Sequence, residues 1–374
     1  MNIDSIKNFL KDIDRFLFVG VIILAFFGLA VIYSTSFGTD KIVNFQKQVV
    51  FSAIGIALMI GAALVDYRTL KTYSGILYVI AVLILGLTLI VSYEIRGAYS
   101  WLNLGGFSIE PSEFVKLILV IILAKFFSTR NTGELRYVLL SAVYAGVLIG
   151  LVFLQPDIGM AAVFFAIWIL MLFVSGAKFK HLAAIVVFTF VFSAGSWNFV
   201  LKDYQKARIW VFLNPAQDPL GRGYNVIQAK IAVGSGGLLG KGFARGTQSQ
   251  LNFLPEKYSD FIFAALAEEF GFLGIGLLFL IFLFIFSRIF SVIKKVNDAF
   301  GKMLIFGIGV MIFSGFFINI AANISLLPVT GLTLPLISYG GSSLLATLLS
   351  LGIIQSVIIR NKQSYKIKQN IIDE

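Results

Sequence analysis

Long apolar runs separated by short polar breaks dominate this chain. Runs of about 18 or more apolar residues read as membrane-spanning helices. Ten such runs occur, at about 16–34, 46–65, 73–92, 111–127, 135–153, 158–175, 182–200, 261–287, 300–321 and 337–359. The first is too long for a signal peptide and no small-residue cleavage site comes after it, so it reads as a retained anchor. The pattern predicts an all-α polytopic membrane protein with about ten transmembrane helices, forming a single membrane domain over residues 1–374. One connection departs from the short-loop pattern. Residues 201–257 form a large extracytoplasmic loop, too small to be more than a marginal domain alone and therefore expected to pack on the helix mouths. Within it, Tyr224 to Val233 carries apolar residues at helical spacing and suits a helix lying in the membrane interface. No internal repeat stands out, which disfavours an inverted-repeat transporter.

Charge then gives the orientation. With the N-terminus inside, the inner segments hold Lys7, Lys11, Arg15, Arg68, Lys71, Arg130, Arg136, Lys178, Lys180, Arg288, Lys294, Lys295, Lys302, Arg360, Lys362, Lys366 and Lys368, while the short outer loops hold Lys41, Lys47 and Arg96. Seventeen against three is a decisive positive-inside asymmetry, and it predicts an inner-membrane protein with both termini cytoplasmic. The net charge of +11 therefore signals membrane orientation rather than a nucleic-acid partner, because the basic residues flank apolar runs instead of forming a patch. At 58% hydrophobic and 13% charged, the composition requires the bilayer as solvent. The chain has no cysteine and one histidine, His181, so thiol chemistry, a Ser-His-Asp set and a multi-histidine metal cage are excluded.

Ionisable groups within spans are costly and mark function by default. Pro111-Ser112-Glu113 opens one span and Lys116 comes three residues later, so Glu113 and Lys116 share a helix face. They form either a structural ion pair or part of a site. Asp157, in Gln155-Pro156-Asp157, heads another span as a helix cap, a site residue, or both. Asp260 comes after Leu254-Pro255-Glu256-Lys257-Tyr258-Ser259 and is again a plausible cap, with Ser259 competing. All three spans run from outside to inside, so Glu113, Asp157 and Asp260 are expected in one layer near the outer surface. Glu268 and Glu269 are expected to mark the top of the hydrocarbon. The run Gly234 to Gly242 fails the phosphate-loop pattern, with Ser235 at the first Gly position and Gly242 in place of Ser or Thr, although glycine-rich backbone with Lys241 suits a lipid diphosphate. The segment Gly331 to Ser343, including Ser338, combines Pro335 with glycines at a helix mouth and either packs the bundle or lines a cavity. Trp101 either stacks on a sugar or anchors a loop.

Taken in order, Trp101-Leu102 with Leu104-Gly105, Pro111-Ser112-Glu113 with Lys116, Gln155 to Gly159, Phe253 to Phe263 and Gly331 to Ser343 closely resemble the SEDS family (shape, elongation, division and sporulation proteins), the membrane peptidoglycan glycosyltransferases. Gly234 to Gly237 and Gly246 to Leu251 look like its RodA-type elongation branch rather than the FtsW division branch. Two departures stand out: Glu110 replaces a frequent Gln, and Tyr258-Ser259 replaces a common His-Thr, which removes a histidine proton relay at that point.

The resemblance implies polymerisation of lipid II during cell elongation, with Asp260 as the catalytic carboxylate. It also implies a class B penicillin-binding protein (transpeptidase) and other elongation-complex membrane proteins as partners. The leaving group of lipid II is a polyprenyl diphosphate, an anion that needs neutralisation more than protonation, so one carboxylate base plus cations suffices. Arg208, Lys241 and Lys116 are the expected diphosphate ligands, with Trp101, Glu113, Asp157, Glu256 and Ser338 as further substrate contacts. No cofactor is required by this reading, and a divalent cation (Mg or Mn) bridging carboxylate to diphosphate is compatible with it. The alternatives are a lipid II flippase, which needs polar groups continuing along one path to the inner leaflet, where only Lys125 lies deep, and a non-enzymatic scaffold of the wall machinery.

Overall fold

A computed structural model describes residues 12–36, 42–95, 98–104, 107–199, 203–221 and 223–373. Lys7, Lys11, Lys41, Arg96 and Gly105 lie outside the described residues. The chain runs through α1 (Arg15–Ser36), α2 (Ile42–Leu64), α3 (Arg68–Val91), strands β1 (Tyr93–Ile95), β2 (Ala98–Leu104) and β3 (Phe107–Ile109), then α4 (Pro111–Thr129), α5 (Leu135–Leu154), α6 (Ile158–Val174) and α7 (Phe179–Phe199). Three short helices come next, α8 (Asp203–Leu213), α9 (Tyr224–Ser235) and α10 (Thr247–Gln250), and then α11 (Ile262–Lys295), α12 (Ala299–Asn323) and α13 (Gly341–Asp373).

Long helices occupy all ten expected positions, so the polytopic membrane fold stands. Among the described residues, seven of them are long and apolar enough to cross a bilayer on those two grounds alone. Of the others, α4 carries Glu113, Lys116 and Lys125 in its length, and α6 has only 17 residues. Burial separates core from rim. The apolar windows of α13 and α12 are 83% and 67% buried, against 22% for α3, whose Leu83 and Ile90 point outward as expected of a lipid face. A helix apolar all round belongs inside a bundle, and α4, α12 and α13 occupy that position. At the end of the bundle rich in basic residues, buried polar contacts tie the helices: Arg288 pairs with Asp14 at 2.6 Å, and Gln355 exchanges hydrogen bonds with the Asp14 backbone.

The opposite end, the site end, departs from the expected pattern in three places. An antiparallel sheet in the order β1-β2-β3 fills the connection before α4, with Tyr93 opposite Trp101 and Asn103 opposite Ser108. The expected span 337–359 instead begins at Gly341, and residues 331–340 enter the bundle as irregular backbone with Leu334, Leu336 and Ile337 almost wholly buried. That is tolerated because its polar groups are satisfied inside protein: Ser338 Oγ accepts from Leu334 N, and Gln48 donates to Ser338 O and accepts from Gly340 N. Third, α11 breaks at Gly271, whose φ of 62° and ψ of −163° suit glycine alone. The glycine-rich run docks into this break. Lys241 N and Gly242 N donate to the carbonyls of Glu268 and Glu269, while Phe272 N and Leu273 N donate to those of Gly237 and Leu238. A Cβ on Gly271 would lie 2.3 Å from Gly240 N. The helix expected over Tyr224 to Val233 is α9, but its apolar face, Val226, Ala229 and Ala232, is covered by protein. It packs against Leu254, Phe261 and the start of α11 instead of facing lipid.

Candidate functional site

A cavity of about 660 Å³ opens at the site end, lined by β2, the mouths of α4 and α6, α8, the segment 256–261 and the irregular stretch 327–343. Six of the sequence-selected residues line it: Trp101, Glu113, Asp157, Arg208, Glu256 and Asp260. The structure therefore brings the three carboxylates expected in one layer, Glu113, Asp157 and Asp260, to a single cavity. Lys116, Lys241 and Ser338 are not in its lining.

The placement of Asp260 arises from its backbone. The carbonyls of three consecutive residues are each held by another element: Tyr258 O accepts from Tyr339 N at 2.8 Å, Ser259 O from Ser338 Oγ at 2.7 Å, and Asp260 O from the amides of Asn319 and Asn323 at 3.0 and 2.8 Å. Neither Asp260 nor Ser259, the expected cap residues, stands at the cap position of α11. Phe261 holds the cap position without a side-chain bond, and Asn323 Oδ1 accepts from Ala264 N at 3.1 Å instead. An amide from α12 thus satisfies that orphan donor. The carboxyl borders Gly331, whose Cβ position would lie 3.9 Å from Asp260 Oδ2. Glu256 occupies a left-handed turn position, φ 52°, and its Oε2 accepts from Ser259 Oγ.

Asp157 both caps and lines: its Oδ1 accepts from Met160 N at 2.9 Å while the residue borders the cavity. Burial raises its carboxyl above the usual range, opposed by the Met160 hydrogen bond and the Arg208 charge. Glu113 and Lys116, one helical turn apart on α4, form a buried ion pair at 2.5 Å. Lys116 is thus paired with Glu113, and Glu113 rather than Lys116 borders the cavity. Lys241 is similarly engaged, 2.7 Å from Glu268, and Ser338 braces the Asp260 segment.

Sequence reasoning missed several participants. Lys47 of α2 lines the cavity, having been counted only as an outer-loop charge. Glu110 lines it too. Its backbone N donates to Ser342 Oγ, its Oε1 accepts from Ser112 Oγ, and burial, then the neighbouring Glu113 and Asp157 charges, raise its carboxyl well above the usual range. Asn319 and Asn323 carry no charge and escaped a search for ionisable groups, although their spacing of four puts them on one face of α12. Among the described residues, no group of three or more Asp, Glu or His is arranged to hold a metal ion.

A cavity flanked by carboxylates and cations at the mouth of a helical bundle fits transfer chemistry on a charged lipid-linked substrate, and the comparisons point the same way. The FtsW/RodA/SpoVE family model, described as a cell cycle protein, matches residues 14–363. The chain belongs to this family. Family relatives include peptidoglycan glycosyltransferase MrdB of Escherichia coli (strain K12), 35% identical over 361 residues covering 95% of each chain. Stage V sporulation protein E of Bacillus subtilis (strain 168) is 38% identical, covering 92% of this chain and 96% of that protein. Among solved structures, a chain of a peptidoglycan synthase complex, described as coordinating polymerization and crosslinking, superposes with a TM-score of 0.81 at 32% identity, covering 94% of this chain and 99% of that one. The rod shape determining protein RodA of Thermus thermophilus superposes with a TM-score of 0.70 at 26% identity, covering 94% and 98%.

Proposed function

We propose that this family member is a peptidoglycan glycosyltransferase that polymerises lipid II into glycan strands at the outer face of the cytoplasmic membrane, with Asp260 as general base. The observation that carries the reading is the placement of Asp260: a carboxyl bordering a 660 Å³ cavity, on a backbone whose carbonyl is held by two buried asparagines. Preorganised groups of this kind reduce the reorganisation required in the transition state.

Asp260 takes the proton of the acceptor sugar's 4-hydroxyl, and that oxygen bonds to the donor's anomeric carbon. The bond from that carbon to the diphosphate oxygen breaks, the polyprenyl diphosphate leaves, and the donor centre inverts. General-base action of this type supplies about 10²–10⁴-fold. Arg208 and Lys47, both in the cavity lining, neutralise the diphosphate, while Glu113, Asp157 and Glu256 take sugar hydroxyls and Trp101 offers a stacking face. The polyprenyl tail is assigned to a second, apolar cavity of about 380 Å³ alongside α4, lined by Phe114, Leu117 and Ile121 together with residues of α2, α3 and α13. The positive-inside asymmetry of the sequence puts the site end outside and both termini in the cytoplasm. Resemblance to the elongation branch, and likeness to a chain from a synthase complex, support a class B penicillin-binding protein as the crosslinking partner.

Purified protein in liposomes with fluorescent lipid II tests this. Polymer formed by the wild type and lost in Asp260→Ala is the expected result. Dye crossing the bilayer with no polymer would instead assign a flippase, and neither signal would leave a scaffold.

A further inference from the structure

Behind the segment that carries Asp260, away from the cavity, two charged side chains are buried almost completely: Lys257 at 2% exposure and Glu268 at 0%. Removing either kind of charge from water is costly unless several partners compensate, and each has its set. Glu268 Oε1 accepts from Lys241 Nζ at 2.7 Å, Gln248 N at 2.8 Å and Thr247 Oγ1 at 3.2 Å, and its Oε2 accepts from Ser249 N at 3.0 Å. Residues 247, 248 and 249 thus hang in sequence from one carboxylate. The approach is close enough that a Cβ on Gly246 would fall 2.6 Å from Glu268 Oε2. The carbonyls of the same turn hold the next stretch of chain, residues 252–257. Lys257 Nζ donates to Ser249 O and, at 3.0 Å, to Asn252 Oδ1, while Leu254 N donates to Gln248 O at 3.0 Å. Lys257 stands three residues before Asp260, and Glu268 two turns after it on α11.

We propose that Glu268 and Lys257 are positioning residues for Asp260, joined through the turn at 247–249 into a buried strap that fixes the cavity-facing segment against the broken helix. The proposal rests on the reading of Asp260 as the base. Hydrogen-bonded charges define direction as well as distance, whereas apolar packing of the same volume leaves a loop free to slide. The strap holds the segment from behind as the asparagines of α12 and the irregular stretch hold its carbonyls from the side. Neither Glu268 nor Lys257 lines the cavity, so substrate contacts are not involved.

The experiment compares Glu268→Gln, Lys257→Met, the double variant and Asp260→Ala in polymerisation of lipid II, with turnover normalised to bound lipid II and measured in H2O and D2O. Each single variant is expected to lower kcat about tenfold, as a small misplacement of a reacting group does, with KM within twofold. The double variant should fall no further than the worse single one. The solvent deuterium isotope effect should rise, because proton transfer to a displaced base becomes rate-limiting; a loss of folded molecules leaves that effect unchanged. Wild-type turnover in both single variants, lowered turnover with an unchanged isotope effect, or failure of both to purify as monodisperse protein would each overturn the proposal. An active Asp260→Ala would remove the reading beneath it. An inactive Asp260→Ala beside fully active Glu268→Gln and Lys257→Met would overturn the positioning alone.

Discussion

Asn323 joins two functions in one buried amide, and Asn323→Leu separates them from packing because the two side chains are similar in volume. The substitution removes the donor to Asp260 O at 2.8 Å and the donor to Asn319 O at 2.9 Å, and it strips Ala264 N of its acceptor. The residue is 1% exposed, so water does not replace these bonds. An orphaned buried donor costs about 1–3 kcal/mol and a lost neutral hydrogen bond about 1 kcal/mol. Asn319 still donates to Asp260 O at 3.0 Å, which keeps that carbonyl satisfied. The total comes to about 2–4 kcal/mol, felt at the start of α11 beside the proposed base. Misplacement of Asp260 on that scale should lower kcat about 10–100-fold with little change in KM. Steady-state polymerisation of lipid II, run alongside thermal unfolding in detergent, reads both consequences. Asn319→Leu is the comparison: it too removes a donor to Asp260 O, and it breaks the tie to Leu332 O, but it leaves the Ala264 bond intact, so its stability loss should be smaller. Turnover within twofold of wild type and an unchanged unfolding midpoint in Asn323→Leu would refute the idea that the carbonyl tether places Asp260.

The same geometry leads to three other expectations. Glu110 has its carboxyl raised by burial and by the Glu113 and Asp157 charges, so the folded state binds a proton that the unfolded state releases at lower pH. The stability this confers is present in acid and lost as pH rises through the raised value. Thermal unfolding measured from acidic to alkaline buffer should show that decline in the wild type and a flatter profile in Glu110→Gln. Arg208→Gln should lower kcat about 10–100-fold, because the cation stabilises charge developing on the leaving diphosphate, with a smaller rise in KM, read from initial rates at varied lipid II. Gly271→Ala forces a side chain onto a conformation that costs about 1–3 kcal/mol and into the docked Gly240 backbone. Its unfolding midpoint should fall, and proteolysis within 236–257 should quicken.

Legibility in the sequence depended on whether the signal was length, charge or shape. Long apolar runs announce helices, so a helix stands at each of the ten expected positions, and seven of these, among the described residues, are long and apolar enough to cross a membrane. Apolarity alone, however, does not distinguish buried helix from buried irregular backbone, and 337–340 was assigned to the wrong class. The convergence of Glu113, Asp157 and Asp260 was legible because alternating helices put residues at like ends in one layer. Asn319 and Asn323 were not found because neutral amides look cheap in a sequence. Glu268 and Glu269, expected at the top of the hydrocarbon, are buried in protein, and their carbonyls anchor the glycine-rich run, a role their charge did not announce. The break at Gly271 that gives that run its partner leaves little trace beyond a glycine. Lys241 was assigned to diphosphate on charge and composition, whereas its ammonium group is held by Glu268 and Thr247.

The proposed chemistry stands or falls with the Asp260 carboxyl as proton acceptor. Asp260→Asn keeps the shape and the backbone bonds and removes the basicity, so single-turnover polymerisation by that variant, at saturating lipid II, isolates the step. A fall in the rate of at least about 10²-fold with lipid II binding close to wild type is predicted. A rate within threefold of wild type would contradict it.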